Sequence, residues 1–520
     1  MKIYNRSEMA ELKRISQVSI FLLFIYVAKS VLAISLRTSV TACFGAGMET
    51  DAYFAAFTIP QLLSDFFIGG ILFAVIIPVF QKRKADIGDV EASKDISALL
   101  NLTLLILAAM TLLYCLLVPI LIPLIFSGFK GHKLELTIRF SLIFSPAIIL
   151  MGLSLMYMSL YNSFREFLIP SVAALIFPIS SLLSIWFLPG SWGIERLVYG
   201  NLAGSALGLL IMTVLISKRI KWRWNWDLSN PLIKATMFLS WPVLLESVFS
   251  RMVPVVHKSI ASGLPESNAI TLIALALFII DSITGFISGP ISTAVYPLMG
   301  QQNIENDEKT VFQTFFKSLK VIFFLTVPFN ILLLVESREI VGLLFGYGKF
   351  TREDCLITAN IIVILSFVIL PNCILSLSGR IFFIFHDTKT VSFCTIAVVC
   401  VFIPVYYLGA YAGGLYGLVL AAALATFTGN MVSMIVLKLK HKDISFQEPV
   451  IYLFRIIACG IAMGTVIVLL NLLLNRFSLS LLIKFPLATL SGAFTYVMAC
   501  KALKIDELEF VMKRIPVLKV

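Results

Sequence analysis

The residues of this chain that can do chemistry are a few charges set in long apolar runs. Lys29 lies in the run 16–36, with Arg37 at its outer end, and Asp65 in 52–80. Glu246, Arg251, His257 and Lys258 lie in 235–258, Asp281 in 269–296 and Arg455 in 450–475. Within hydrocarbon an ionised side chain costs about 2.5–3.5 kcal/mol on insertion scales, so such residues stay where they meet each other, water or a polar cargo. The chemistry they suit is a polar passage through a bilayer. Structural readings stand beside the functional ones: Lys29 paired with Asp65, Glu246 paired with Arg251, His257 and Lys258 solvated near the outer end of their run, and Arg455 anchored at an interface. Asp281 is harder to explain structurally, because its nearest charges in sequence are Glu266 and Lys309. It points to function or to a partner on another helix.

These side chains need spanning helices to position them. Of 520 residues, 59% are hydrophobic and only 13% charged, with a mean hydropathy of +0.97. A soluble domain carries about 25% charged residues. Apolar runs long enough to cross hydrocarbon recur throughout, at 16–36, 52–80, 98–126, 138–163, 167–189, 197–217, 235–258, 269–296, 312–335, 356–379, 390–409, 413–437, 450–475 and 479–500. The expected fold class is therefore an all-α polytopic membrane protein of about 14 transmembrane helices. The net charge of +12 is distributed by topology. Lys2, Arg6, Lys13 and Arg14, then Lys82-Arg83-Lys84, Lys218 to Arg223, Lys438 to Lys442 and the C-terminal basic residues all fall on one side. The positive-inside rule makes that side cytoplasmic, with both termini inside, and removes the need for nucleic acid as a partner.

The chain repeats itself. Glu49-Thr50-Asp51-Ala52 pairs with Glu266-Ser267-Asn268-Ala269, and Gly70 and Pro78 pair with Gly289 and Pro297. Phe164-Arg165-Glu166 pairs with Phe385-His386-Asp387, and Gly193-Ile194 with Gly414-Leu415. The offsets agree to within four residues at equivalent topological positions. A repeat of six spans preserves orientation, so two parallel six-helix bundles are expected, at 1–217 and 218–437, facing one another across a cleft. Two extra helices and a cytoplasmic tail would occupy 438–520.

Enzyme signatures are missing. The chain has no G-x-x-x-x-G-K-[ST], no H-E-x-x-H and no G-x-S-x-G, and His132, His257, His386 and His441 do not cluster. Its eight cysteines include no C-x-x-C pair, so neither a disulfide framework nor a metal site is expected. Met1–Arg14 is too polar for the apolar core of a signal peptide. Transport is favoured over catalysis, with no cofactor.

Phe44-Gly45-Ala46-Gly47-Met48-Glu49-Thr50-Asp51-Ala52-Tyr53, followed by Pro60, Gly69-Gly70 and Ile77-Pro78, resembles the G-A-G-x-x-T-D-A-[FY] turn and glycine-rich stretch of the MurJ/MviN family. These are lipid II flippases of the multidrug/oligosaccharidyl-lipid/polysaccharide exporter superfamily. Leu344 to Asp354 is similar to the family's L-F-x-x-G-x-F-[ST]-x-x-D, and Asp387-Thr388-Lys389-Thr390 to its D-T-[RK]-T. The sequence departs from the family where arginines are expected. The first-helix positions hold Ser30, Ala33 and Leu36, with Lys29 and Arg37 each displaced by one residue; Ser64, Asp65 and Phe278 stand at the others. One residue is about 100° around a helix.

The resemblance implies alternating-access flipping of a lipid-linked peptidoglycan precursor, lipid II, in a bacterial cytoplasmic membrane. Another undecaprenyl-linked glycan, or a drug or ion exchanged on the same scaffold, are the alternatives. A polar head group cannot shed its water in hydrocarbon without partners, and cations would hold its diphosphate. Lys29, Arg37, Arg251 and Lys258 are the expected diphosphate contacts. Asp51, Asp65, Asp281, His257 and Ser30 are expected as cavity or gating groups, and Gly69, Gly70, Gly289 and Pro290 as hinges. A monomer would suffice. Coupling to a monovalent ion or to membrane potential, and docking of cell-wall synthesis enzymes, are compatible with the same reading.

Overall fold

The computed structural model describes residues 6–69, 77–164, 166–217, 220, 222–225, 248–266, 268–305, 307–385, 387–441, 445–477 and 480–508. Gly70 and Glu246 lie outside the described residues, and so does the expected Glu246–Arg251 pair. The helices are α1 Arg6–Phe44, α2 Met48–Gly69, α3 Ile77–Ile125, α4 Gly131–Phe144, α5 Ala147–Ser163, α6 Leu168–Phe187 and α7 Glu195–Ile216, then α8 over 248–262. They continue as α9 Ala269–Ile304, α10 Glu308–Phe345, α11 Arg352–Ile384, α12 Thr388–Lys440, α13 Gln447–Leu474 and α14 Leu481–Ala502. No strand occurs among the described residues. A bilayer offers backbone groups no water, so apolar runs of this length satisfy their N–H and C=O groups internally as helices. Ten stretches of described helix are each long and apolar enough to cross, and the bent pair α4–α5 adds an eleventh.

Three predicted boundaries look different in the structure, each for a local reason. The basic stretch after the second run is the start of α3, which at 49 residues is about 70 Å long and continues well beyond a bilayer. Its Lys, Ala and Glu residues are good helix formers. The run 138–163 is two helices bent by 43°, broken at Ser145-Pro146, where proline has no N–H to continue the ladder. The runs 390–409 and 413–437 form the arms of α12, broken at Gly413 and Gly414. Gly414 has φ 54°, and beyond it the chain turns back so closely that a Cβ on Gly409 would lie 2.5 Å from the carbonyl oxygen of Gly417.

The chain forms two compact units, Met1–Thr271 with Tyr347–Lys349, and Leu272–Gly346 with Phe350–Val520. In the first unit, α1 packs on α6, α2 on α4 and α5, α3 on α4 and α5, and α7 on α5 and α6. Gly200, Gly204 and Gly208, spaced one turn apart on α7, let its backbone touch α6: added Cβ atoms would meet Ser184 Oγ at 2.0 Å, Phe177 Cα at 2.9 Å and Ala173 O at 3.3 Å. This is how membrane helices associate where lipid removes any hydrophobic drive. In the second unit, α10 packs on α11, α13 and α14, α11 on α12, and α13 on α14. Tyr496 of α14 donates to Phe324 O at 2.7 Å, so the last two helices are built into this unit through α10.

Candidate functional site

The first unit brings Arg37, Asp51 and Lys258 together. The turn between α1 and α2 sets the geometry. Gly45 has φ 70°, and a Cβ there would meet Lys349 O at 2.9 Å. Thr50 closes the start of α2, its hydroxyl accepting from Gly47 N at 2.8 Å. The next residue, Asp51, is 1% exposed. Its carboxylate accepts from Lys133 Nζ of α4 at 3.0 Å and from Thr271 N of α9 at 2.7 Å. Asp51 thus ties three helices together at one end of the unit.

One to two turns along α2, Lys258 of α8 donates to Thr58 Oγ1 at 2.7 Å and to Phe54 O at 3.3 Å. Arg37 of α1 lies over the Phe54 ring, 4.9 Å from its centroid. Lys258 feels the charges of both Arg37 and Asp51. Ala52, Ala55 and Ala56 of the same stretch of α2 are fully buried. With Asp51 already paired to Lys133, Arg37 and Lys258 leave this half-buried site with a net positive charge. Such a site can hold an anionic oxygen group, with Lys as a point charge and Arg as a fork.

A second pair lies further along α2. Arg251 of α8 binds Asp65 at 2.9 Å, with side-chain exposures of 48% and 22%. The sequence suggested Lys29 for Asp65; the structure gives it Arg251, because α8 rather than the body of α1 supplies the facing cation. Lys29 is exposed on α1 and makes no ion pair among the described residues. Ser30 is also exposed, and donates to Tyr26 O of its own helix at 3.0 Å. Leu36 is half-buried beside Arg37. Ser64 is fully buried and donates to Pro60 O and, across the helix interface, to Ile148 O. His257 is half-buried on α8.

In the second unit, Asp281 is exposed on α9, one turn after Phe278, and makes no ion pair among the described residues. Gly289 and Pro290 lie within α9, where a Cβ on Gly289 would meet nothing within 4 Å. Gly69 is the last residue of α2. Arg455 is exposed on α13.

Two groups escaped the sequence reading. Asn201 of α7 donates to the Tyr53 hydroxyl and accepts from Ser181 of α6; an amide in an apolar run was the available signal. Glu336 of α10 is fully buried, at a residue where the helix loses regular geometry, and accepts from Asn471 of α13 at 2.5 Å. The predicted run 312–335 stops one residue short of it, which hides Glu336 among the adjacent loop charges Arg338 and Glu339.

The motifs shared with flippases hold the structure at its turns. Lys349 N donates to Ala42 O at 2.9 Å, and Gly348, with φ 62°, would place a Cβ 2.2 Å from that oxygen. Gly348 and Lys349 are thereby held against the end of α1 within the first unit. Thr351 and Asp354 form a reciprocal cap on α11, the usual way to satisfy the first free N–H groups of a helix. Asp387 accepts from Thr390 Oγ1 at 2.7 Å and from Lys440, closing the two ends of α12. Burial pulls the Asp387 carboxyl upward, and the bonds from Lys440 and Thr390 outweigh it, so the group titrates below the usual carboxylate value.

Many long apolar helices in two units, with a half-buried cationic site among them, define a polytopic membrane protein. Its fold is similar to that of a multidrug resistance MATE family transporter of the MOP superfamily in an inward-facing conformation, with a TM-score of 0.65 at 13% identity, over 80% of this chain and 96% of that one. A lipid II flippase MurJ structure in an inward closed conformation matches with a TM-score of 0.81 at 23% identity, over 94% of this chain and all of its own. Residues 40–487 match the family described as lipid II flippase MurJ, and the chain belongs to that family. The probable lipid II flippase of Thermotoga maritima is 24% identical over 473 residues, 91% of this chain and 93% of the relative. That of Bdellovibrio bacteriovorus is 26% identical over 397 residues, 75% and 76% of the two chains. The family is one of transporters and not of catalysts, and it places this chain as a multi-pass protein of the bacterial inner membrane.

Proposed function

We propose that this protein moves lipid II from the inner to the outer leaflet by alternating access, and that Arg37 and Lys258 carry the charge that meets the diphosphate. The observation behind the assignment is their convergence on the Phe54–Thr58 segment of α2, beside Asp51. Arg251 has donors to spare after pairing with Asp65, since a guanidinium offers five N–H groups. Lys29 serves where the entering head group first meets α1. Asp51 holds α2, α4 and α9 in register. Asp281, His257 and Ser30 line the polar path, and the glycines at 69, 70 and 289 with Pro290 supply bending during exchange. The two halves 1–217 and 218–437 are parallel repeats, with 438–520 an addition. The basic segments place both termini in the cytoplasm, and a monomer carries the whole machinery. Coupling to membrane potential or to a monovalent ion drives the cycle.

A second reading, flipping of another undecaprenyl-linked glycan, draws on one observation: the family's arginine positions hold Ser30, Leu36, Ser64, Asp65 and Phe278, and Ser64 is committed to helix packing. The antiporter reading is weaker, because Asp65 is already neutralised by Arg251.

Depletion of the protein in its native cell, followed by analysis of polyprenyl-linked intermediates, separates these readings. Accumulated lipid II supports the first. Normal lipid II with build-up of a different polyprenyl-linked glycan overturns the substrate and keeps the mechanism.

A further inference from the structure

Glu336 of α10 takes no part in the site of the first unit. It is fully buried in a helix long and apolar enough to cross a membrane, and its backbone leaves helical geometry at φ −111° and ψ 17°. No proline or glycine stands beside it to cause the break, so the break goes with the contact the side chain makes. Asn471 Nδ2 of α13 donates to Glu336 Oε1 at 2.5 Å. The remaining oxygens of the two groups, Glu336 Oε2 and Asn471 Oδ1, are buried and make no hydrogen bond among the described residues.

A carboxylate oxygen and an amide oxygen are both acceptors, so with Glu336 ionised the pair shares one hydrogen bond and leaves two acceptors unanswered. A buried carboxylate in that position stays charged only with a cation or several donors around it. The charges that reach Glu336 are Glu339 of its own helix and Lys484 of α14. They oppose one another, and Lys484 is bound to Asn475. Beside Glu336, its neighbours Val335 and Ser337 line a cavity of about 370 Å³, to which α10 also brings Arg338 and Glu339. To the same cavity α11 and α13 bring the uncharged Asn360 and Asn471. A single proton answers both orphaned oxygens: on Oε2 it makes the carboxyl a donor to Asn471 Oδ1, while Asn471 Nδ2 keeps its bond to Oε1. Exchanging the two ends of the amide leaves the same count.

We infer that Glu336 is a proton-binding site, its neutral carboxyl closed into a two-bond acid–amide pair with Asn471 that fastens α13 to the break in α10. The proton exchanges through the cavity that Asn471 lines. Its loss leaves one hydrogen bond and a buried charge, which loosens α13 from α10 at this point. The second unit thereby carries a response to protons that is separate from the cationic site of the first.

The test uses the full-length protein in nanodiscs, read by infrared difference spectroscopy and by thermal unfolding across pH. The parent at neutral pH should show the C=O stretch of a protonated carboxyl that is missing from Glu336→Gln. The amide of that variant can make the same two bonds, so it should fold and match the parent in Tm at acid pH. In the unfolded chain a glutamate loses its proton near about 4.3. A carboxyl still protonated in the folded state therefore makes stability fall as pH rises, by about tenfold in the unfolding constant per pH unit. The parent should lose Tm relative to Glu336→Gln over that rise until the carboxyl ionises. Asn471→Leu should keep the stretch and raise its frequency, because the carboxyl then donates to nothing. Identical spectra of parent and Glu336→Gln, a stretch unmoved by Asn471→Leu, or parallel Tm–pH curves would each overturn the proposal. So would a rise in Tm with sodium chloride over choline chloride that Glu336→Gln abolishes, since a metal cation would then hold the site. None of these readouts depends on which precursor is flipped.

Discussion

Asp51 offers the sharpest test of how the site is held. Its carboxylate is 1% exposed, its partner Lys133 only 14%, and it also accepts from the Thr271 backbone. Removing one member of a buried ion pair costs about 3–5 kcal/mol, because the other charge stays buried and unanswered. The Thr271 N–H, left without an acceptor, adds to that cost within the same range. At roughly 2–4 °C per kcal/mol for a domain of 150–250 residues, Asp51→Ala should lower the apparent Tm by roughly 6–20 °C. Asp51→Asn keeps an acceptor for Thr271 and loses only the charge, so its drop should be about half as large. The decisive measurement is a thermal-unfolding cycle of Asp51→Ala, Lys133→Met and the double variant in one detergent. A charged hydrogen bond of this kind should give a coupling of about 1.5–3 kcal/mol. Additivity within about 0.5 kcal/mol, or an unchanged Tm for Asp51→Ala, would refute the claim that this pair holds α2 to α4.

Three further outcomes are expected. Lys258→Met should weaken lipid-linked substrate binding about 10- to 100-fold, the loss of one charge-assisted contact; Arg251→Ala and Lys29→Ala should have smaller effects, and unchanged affinity and flipping in all three would remove the cationic assignment. Gly348→Ala should lower Tm more than Gly131→Ala: both glycines have positive φ, but an added Cβ meets Ala42 O at 2.2 Å in the first case and nothing within 4 Å in the second, so equal drops would show that the contact is unimportant. The depressed Asp387 carboxyl contributes stability that is present above its unfolded value of about 3.9 and is lost as pH falls through the lower folded value. Asp387→Asn should therefore flatten the fall in Tm below about pH 4, and an unchanged acid limb would dissociate Lys440 from α12 closure.

The architecture was legible because the bilayer leaves so few options. An apolar run of about twenty residues must be a helix, so α6, α7, α9, α11, α13 and α14 follow from hydropathy alone. Breaks inside apolar sequence were harder to read. Pro146 and Gly413-Gly414 carry the right residue types, yet proline also sits within α2, α6, α9, α10 and α11 without splitting them, and only packing decides which ones bend. Among the charges, the sequence suggested Lys29 as the partner of Asp65, and the structure pairs Asp65 with Arg251. Lys29 with Asp65 is plausible along the chain, but the facing surface of α8 can be known only from the fold.

That change of partner bears on how a member of this family works without the expected arginines. At the level of Asp65, the charge of span two is reversed relative to the family, and Arg251 cancels it, with Ser64 turned into the α2–α5 interface. Positive charge is therefore not concentrated there. It is carried about two turns away, where Arg37 and Lys258 face the Phe54–Thr58 segment and Asp51 neutralises only part of it while also being held by Lys133. On the proposed reading the diphosphate is gripped closer to the Asp51 end of α2. The one-residue displacement of Arg37 in α1 then reflects a relocated site: about 100° around the helix, in this sequence, turns the guanidinium towards Phe54 and Lys258.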